Sequence, residues 1–130
     1  MKKNFAVGTD IVNVSRIKKP MENARFCERI FTLSELEYIN RKKFPAETAA
    51  GRFAAKEAFA KAVGTGFRDF EFGDVEILND ELGKPYIVLY GKAKEKFSDI
   101  EFDVSISHTA EFAIATVLCS RVNKHATHDD

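Results

Sequence analysis

The chain has 130 residues, enough for one domain with its own core and short for two ordinary ones. A hydrophobic content of 45%, with 12 Phe, alongside 31% charged residues excludes wholesale disorder and a collagen-like rod. Twenty Lys and Arg balance twenty Asp and Glu, which argues against a polybasic nucleic-acid binder, and no apolar run approaches the roughly 18 residues of a membrane span.

The N-terminal segment lacks the long apolar stretch of a secretory signal, because Asp10 interrupts it. Cys27 and Cys119 make no disulfide framework, so a soluble, cytoplasmic domain with no membrane partner is expected. Zero net charge hides an uneven distribution: residues 15–56 carry a net +5 and residues 57–103 a net −5. The basic half suits phosphate or an acidic protein, and two ordinary solvated surfaces would give the same numbers.

In chain order, Phe5 to Val14 reads as a strand with Asp10 as a polar residue inside an apolar run. Helical pieces follow from Ser15 to Ile30. Thr32-Leu-Ser-Glu35 is a capping box between Phe31 and Leu36, which predicts a helix from about Leu33 to Lys43. Pro45 suits the first turn of a longer helix and Gly64 its C-terminal cap, with an alanine-rich run between them. Val75–Leu78 and Tyr86–Tyr90 read as strands joined by a turn-prone segment, and Lys92–Phe97 as a short helix. Glu101–His108 and Phe112–Leu118 form a closing strand pair, and in the first of these Phe102, Val104 and Ile106 alternate with Asp103, Ser105 and Ser107. The expected class is α+β: an N-terminal strand, helices including one long central helix, then an antiparallel sheet. One domain over residues 1–121 and a polar tail over 122–130 complete the organisation. Two tail histidines, His125 and His128, have no orienting neighbours that would make them a metal site.

The long helix carries the most informative constellation. Phe53, Glu57 and Lys61 fall at i, i+4 and i+8 on one stripe, with Arg52 and Lys56 on the adjoining one. An ordinary surface Glu57–Lys61 pair with Phe53 in the core would produce the same spacing. Asp10 adds a second carboxylate whose position in an apolar strand demands a hydrogen bond, a charge partner or a cation. Asp10 and Glu57 together would suit Mg²⁺, which takes one or two carboxylates, waters and substrate phosphates. A structural Asp in a turn after Gly8 is the alternative. Val12 stands at the next same-side position, so no second acid lies beside Asp10. His108 and Thr109 at a strand end offer an N–H and a hydroxyl to a phosphate oxygen. No zinc-ligand spacing, serine elbow, Walker loop or dinucleotide fingerprint is present.

Three islands, Gly8-Thr-Asp10-Ile, Gly51-Arg-Phe-Ala-Ala-Lys-Glu-Ala-Phe-Ala-Lys61 and Ser105-Ile-Ser-His-Thr109, occur in this order. Together they resemble the small bacterial holo-[acyl-carrier-protein] synthases, a branch of the 4′-phosphopantetheinyl transferases, over roughly residues 5–120. The resemblance implies the fold of that family and transfer of 4′-phosphopantetheine from coenzyme A to a serine of apo-acyl carrier protein, releasing adenosine 3′,5′-bisphosphate. It implies Asp10 and Glu57 as Mg²⁺ ligands, with water in the remaining positions, and Lys61 as the group that stabilises or protonates the leaving phosphate. Glu57, or a water it orients, is the expected base. Arg52, Phe53, Lys56, Lys61, Gly64, Gly66, His108 and Thr109 are implied as coenzyme A contacts. Arg16, Arg25 and Arg29 are implied as the docking surface for the acidic carrier protein. Family members of this size are homotrimers with sites at subunit interfaces and serve fatty acid biosynthesis. Val12, where larger relatives often carry a second acid, and Phe53, where they tend to carry Trp, favour the compact branch. From the residues alone, a non-catalytic module that binds an acidic partner through residues 15–56 is a second reading, and a nucleic-acid binder a weaker third.

Overall fold

The computed structural model describes residues 4–122; of the tail, residues 123–130 with His125 and His128 lie outside the described residues. Strand β1 (Phe5–Asn13) is followed by helix α1 (Ser15–Lys18), a single 3-10 turn at Pro20–Glu22, and helices α2 (Ala24–Ile30), α3 (Leu33–Asn40) and α4 (Pro45–Val63). The second half holds the hairpin β2 (Val75–Asn79) and β3 (Pro85–Leu89), helix α5 (Gly91–Lys96), and strands β4 (Ile100–His108) and β5 (Phe112–Arg121). The chain is therefore α+β, as its pattern implies.

Local chemistry explains the helix boundaries. The Thr32 hydroxyl accepts from the Glu35 N–H at 3.2 Å while the Thr32 N–H donates to Glu35 Oε1 at 2.8 Å, closing the capping box that starts α3. Helix α3 ends at Asn40, three residues short of the expected Lys43. Phe44 precedes Pro45 and leaves the helical region at φ −123°, ψ 79°, so the intervening residues become the corner between α3 and α4. At the far end of α4, Gly64 adopts φ +80°, a left-handed conformation that a residue without Cβ adopts freely.

Strands β1, β5 and β4 form one antiparallel sheet with β5 in the centre, and β2–β3 form a separate two-stranded sheet. Register pairs Gly8 with Val117, Asp10 with Ala115 and Val12 with Ala113. Alternation places Ala113, Ala115, Val117 and Cys119 of β5 inward, all buried, beneath the alanines of α4 (Ala54, Ala55, Ala58 and Ala62). Phe59 extends the core by packing edge-on against Phe70 and Phe97 and at a tilt against Phe102. The other face of the β1–β5 pair leaves Phe5, Val7, Ile11, Phe112, Ile114 and Leu118 exposed.

One contact fixes how α4 sits on the sheet. A Cβ added at Gly8 would stand 2.1 Å from the Ala58 carbonyl oxygen and 2.5 Å from the Ala62 nitrogen. Those are backbone atoms inside a helix and cannot step aside. Gly51 is also crowded, but its nearest neighbour is Ile106 Cγ2 at 2.9 Å, a single side-chain methyl that must shift, where Gly8 meets helix backbone. Gly8→Ala is therefore expected to destabilise the protein by about 3 kcal/mol or more, the upper range for overpacking. Gly51→Ala, helped by helix propensity, is expected to stay within about 1 kcal/mol of the parent chain. Urea unfolding checks both, and equal losses would contradict the assignment of Gly8 as the contact point.

Candidate active site

Asp10 occupies the middle of β1 rather than a turn, on the same face as Gly8 and Val12, and so points toward α4. The close approach at Gly8 brings Lys61 over it. Lys61 Nζ donates to Asp10 Oδ1 and to the Thr9 carbonyl oxygen, each at 3.0 Å. Glu57, one turn earlier on α4, is half-buried, and its carboxyl is pushed above the ordinary value, first by burial and then by the Asp10 charge, with Lys61 opposing. The structure thus brings together Asp10, Glu57 and Lys61 from two elements about fifty residues apart in sequence. Lys61 takes Asp10 as its ion-pair partner, not Glu57.

Beside these groups lies a cavity of about 440 Å³ lined by Glu57, Ala60, Lys61, Gly64, Gly66 and Phe67. Gly64 and Gly66 both turn their N–H groups back to the Ala60 carbonyl, which closes α4 and leaves their Cα atoms on the cavity wall. Phe67 stacks on Phe72 with ring centres 3.9 Å apart, and Phe72 stacks on Phe53 at 5.7 Å. Phe53, an expected ligand contact, thereby ends an aromatic row that begins at the cavity.

Two expected ligand contacts lie elsewhere than on an open surface. Lys56 is fully buried, with Nζ 2.8 Å from Glu35 Oε1 and 2.9 Å from the Phe72 carbonyl oxygen. Burial lowers its ammonium pKa while Glu35 resists that shift. Expected as a coenzyme A contact, its ammonium in this fold ties α4 to α3 and to the segment bearing Phe72. Sequence reasoning missed Glu35 as a partner. Its capping-box position was legible, but the second oxygen, which accepts from the Ile77 N–H at 2.9 Å, completes a buried network with no local signature.

Arg52 is 4% exposed; it stacks over Tyr38 and donates to Asn79 Oδ1. Its Nε has no partner among the described residues. Arg52 borders a groove of about 380 Å³ whose lining includes Lys42, Lys43, Thr48, Asn79 and His108. Its guanidinium is therefore an anchored wall of that groove and not a freely reaching side chain. His108 closes β4 and sits with Nδ1 3.0 Å from Glu47 Oε1 in the first turn of α4. Thr109 Oγ1 accepts from the Glu111 and Phe112 N–H groups, which shapes the β4–β5 turn. Glu47 precedes Glu57 by ten residues, about 15 Å along a helix, so one copy of the chain does not bring His108 to Asp10. Arg16 on α1 and Arg25 and Arg29 on α2 are all exposed, the last two one turn apart on one face.

The donor set fits a hard divalent cation. Two carboxylates converge, and that of Glu57 is pushed above its ordinary value by burial first and by the Asp10 charge second. Among the described residues no group of three or more His, Cys, Asp and Glu could hold a metal, so a bound ion would need oxygens from substrate and water.

A family model described as the 4′-phosphopantetheinyl transferase superfamily matches residues 6–117. The holo-[acyl-carrier-protein] synthase of Clostridium novyi is 52% identical over 115 residues, spanning 85% of this chain and 83% of its own length. The holo-[acyl-carrier-protein] synthase of Geobacter metallireducens is 47% identical over 124 residues, spanning 91% and 98%. Among solved structures, the Bacillus anthracis holo-(acyl-carrier-protein) synthase in complex with CoA (3′,5′-ADP) aligns with a TM-score of 0.77 at 39% identity, covering 89% of this chain and 96% of that one. The Helicobacter pylori holo-[acyl-carrier-protein] synthase in complex with coenzyme A aligns with a TM-score of 0.78 at 35% identity, covering 88% and 99%.

The electrostatics of the site have a measurable consequence. A carboxyl whose pKa rises on folding favours the protonated native state, so its unfavourable contribution is present above the raised value and absent below the ordinary one. Glu57→Gln is expected to raise the melting temperature at neutral pH by about 2–5 °C, and the gap should close as the pH falls through the carboxylate range. Calorimetry at several pH values checks this, and a variant less stable than the parent at neutral pH would contradict it.

Proposed function

The chain belongs to the 4′-phosphopantetheinyl transferase superfamily, and from that membership we infer that it acts as a holo-[acyl-carrier-protein] synthase. It transfers 4′-phosphopantetheine from coenzyme A to a serine hydroxyl of apo-acyl carrier protein. The observation that carries the site assignment is the convergence of Asp10 from β1 with Glu57 and Lys61 from α4 beside an open cavity. Phosphoryl-centred displacement requires cationic charge on the diphosphate and an aligned nucleophile, and needs no nucleophile from the enzyme itself.

Asp10 and Glu57 would hold Mg²⁺. Such an ion would supply positive charge that offsets the negative charge of the diphosphate. The serine oxygen forms a bond to the pantetheine-side phosphorus as the bond from that phosphorus to the bridging oxygen breaks. The electron pair leaves with adenosine 3′,5′-bisphosphate. Glu57, or a water it orients, accepts the serine proton, and Lys61 offers its ammonium to the leaving phosphate. The cavity between Gly64, Gly66 and Phe67 receives part of coenzyme A, with Phe53 behind its aromatic wall. Arg52 and His108, with Lys42 and Lys43, line the groove that suits the remaining phosphate. Thr109 sits next to His108 at that end of β4.

Because His108 and Asp10 stand apart in one copy, we place each site between two copies of a homotrimer. The exposed apolar face of the β1–β5 pair supports such self-association. Exposed Arg16, Arg25 and Arg29 form the docking surface for the acidic carrier protein. Cys27 and Cys119 are not joined in a disulfide among the described residues, which suits a reducing compartment, and we place the reaction in the cytoplasm, in fatty acid biosynthesis. Among the described residues no helix is long and apolar enough to cross a membrane.

Intact-mass spectrometry of apo-acyl carrier protein incubated with the protein, Mg²⁺ and coenzyme A tests this reading. The expected result is a phosphopantetheinyl mass shift, lost in Asp10→Ala and Glu57→Ala with the fold retained. In the same assay Arg25→Glu should raise KM for the carrier protein about tenfold and leave KM for coenzyme A unchanged. Undiminished transfer by either alanine variant would refute the metal site, and a change confined to coenzyme A would refute the docking surface.

A further inference from the structure

The Lys61 ammonium donates at 3.0 Å to Asp10 Oδ1 and at 3.0 Å to the Thr9 carbonyl oxygen. A Glu four residues before a Lys is the favoured order for a helical ion pair, and Glu57 holds that position, yet the lysine reaches across to β1. The Lys61 side chain is 56% exposed and that of Asp10 17%, so a solvent-facing cation covers a mostly sheltered acid. Directly beside the ammonium lies the cavity walled by Glu57, Gly64, Gly66 and Phe67.

We propose that Lys61 is the resident counter-cation of Asp10 in the ligand-free enzyme and that it changes partner, from Asp10 to the diphosphate of coenzyme A, when the site loads. This inference rests on the reading of Asp10 and Glu57 as ligands of a divalent cation. Two carboxylates that converge without compensating charge repel each other, and the Lys61 ammonium, 3.0 Å from Asp10 Oδ1, supplies that charge. A divalent cation on the Asp10 oxygens competes with the ammonium for the same negative charge. Lys61 can yield without any backbone change, because its flexible four-carbon stem starts on a rigid helix and ends at an open cavity. There the diphosphate supplies a replacement anion. Alone, a divalent ion must displace the lysine; with coenzyme A present, the displaced lysine gains a new partner. Cation and coenzyme A therefore bind with positive coupling carried by one side chain.

Mn²⁺ binding to the full chain, followed by the electron paramagnetic resonance signal of the free ion, tests this without turnover. Lys61→Met keeps the stem and removes the charge at an exposed position. Without coenzyme A it is expected to bind Mn²⁺ about two- to fivefold more tightly than the parent, the size of one lost, partly exposed ion pair. Coenzyme A should tighten Mn²⁺ binding less in Lys61→Met than in the parent, and Lys61→Arg should behave like the parent. Equal or weaker Mn²⁺ binding by Lys61→Met, or no measurable binding by either chain, would overturn the proposal. Asp10→Asn separates the two readings. If Asp10→Asn loses Mn²⁺ and Lys61→Met fails to gain affinity, only the counter-cation role falls. If Asp10→Asn binds as well as the parent, the metal-site reading falls with it.

Discussion

At Gly8 the backbone of a strand touches the backbone of a helix, with no room for a single additional carbon. Everything chemical in this domain depends on that contact. It sets α4 down on β1 at a depth and rotation where Lys61 covers Asp10 and Glu57 feels the Asp10 charge. The alanines of α4 and the small inward residues of β5 extend the same close packing along the sheet. Two acids separated by most of the first half of the chain thus become neighbours through main-chain packing, without a flexible loop.

The fold uses lysine and carboxylate in two opposite ways on the same helix. Lys56 and Glu35 form a dry pair, fully buried and hydrogen-bonded on several sides, which ties α4 to α3, β2 and the segment bearing Phe72. Such a pair contributes fixed geometry more than net stability, because desolvation offsets much of its attraction. Lys61 and Asp10, five residues further along α4, form a wet pair at the edge of a cavity, where partners can exchange. Rigid support and a replaceable counter-ion stand little more than one helical turn apart. The Phe72–Phe67 stack joins them, since the main-chain carbonyl gripped by Lys56 belongs to Phe72, whose ring backs Phe67 of the cavity wall.

Much of this was legible in the residues, and the boundary of what was legible is physical. The capping box at Thr32 and Glu35, Pro45 and Gly64 at the ends of α4, and the alternation of Phe102, Val104 and Ile106 are local signals, and each produced the element they imply. Helix α3 is shorter than its sequence implies, because propensity continues past Asn40 while the chain must turn for Pro45. The facing of Lys56 was not readable: helical spacing puts it beside Glu57 in sequence, but only α3 and β2 decide that this stripe is buried. The crowding at Gly8 likewise appears only when a strand and a helix meet. Motif order tied His108 to the same chemistry as Asp10, whereas its ring lies beside Glu47 at the other end of α4, a separation that a second copy of the chain would bridge.

On the proposed reading, Asp10 and Glu57 share one divalent ion above a diphosphate. The most direct measurement is an anomalous difference map from crystals grown with Mn²⁺ and coenzyme A. One peak per site is expected, with oxygens from both carboxylates and from the diphosphate within about 2.0–2.4 Å, the range of hard divalent cations. A peak held by only one of the two acids, or one placed at the Glu47–His108 end of α4, would contradict it.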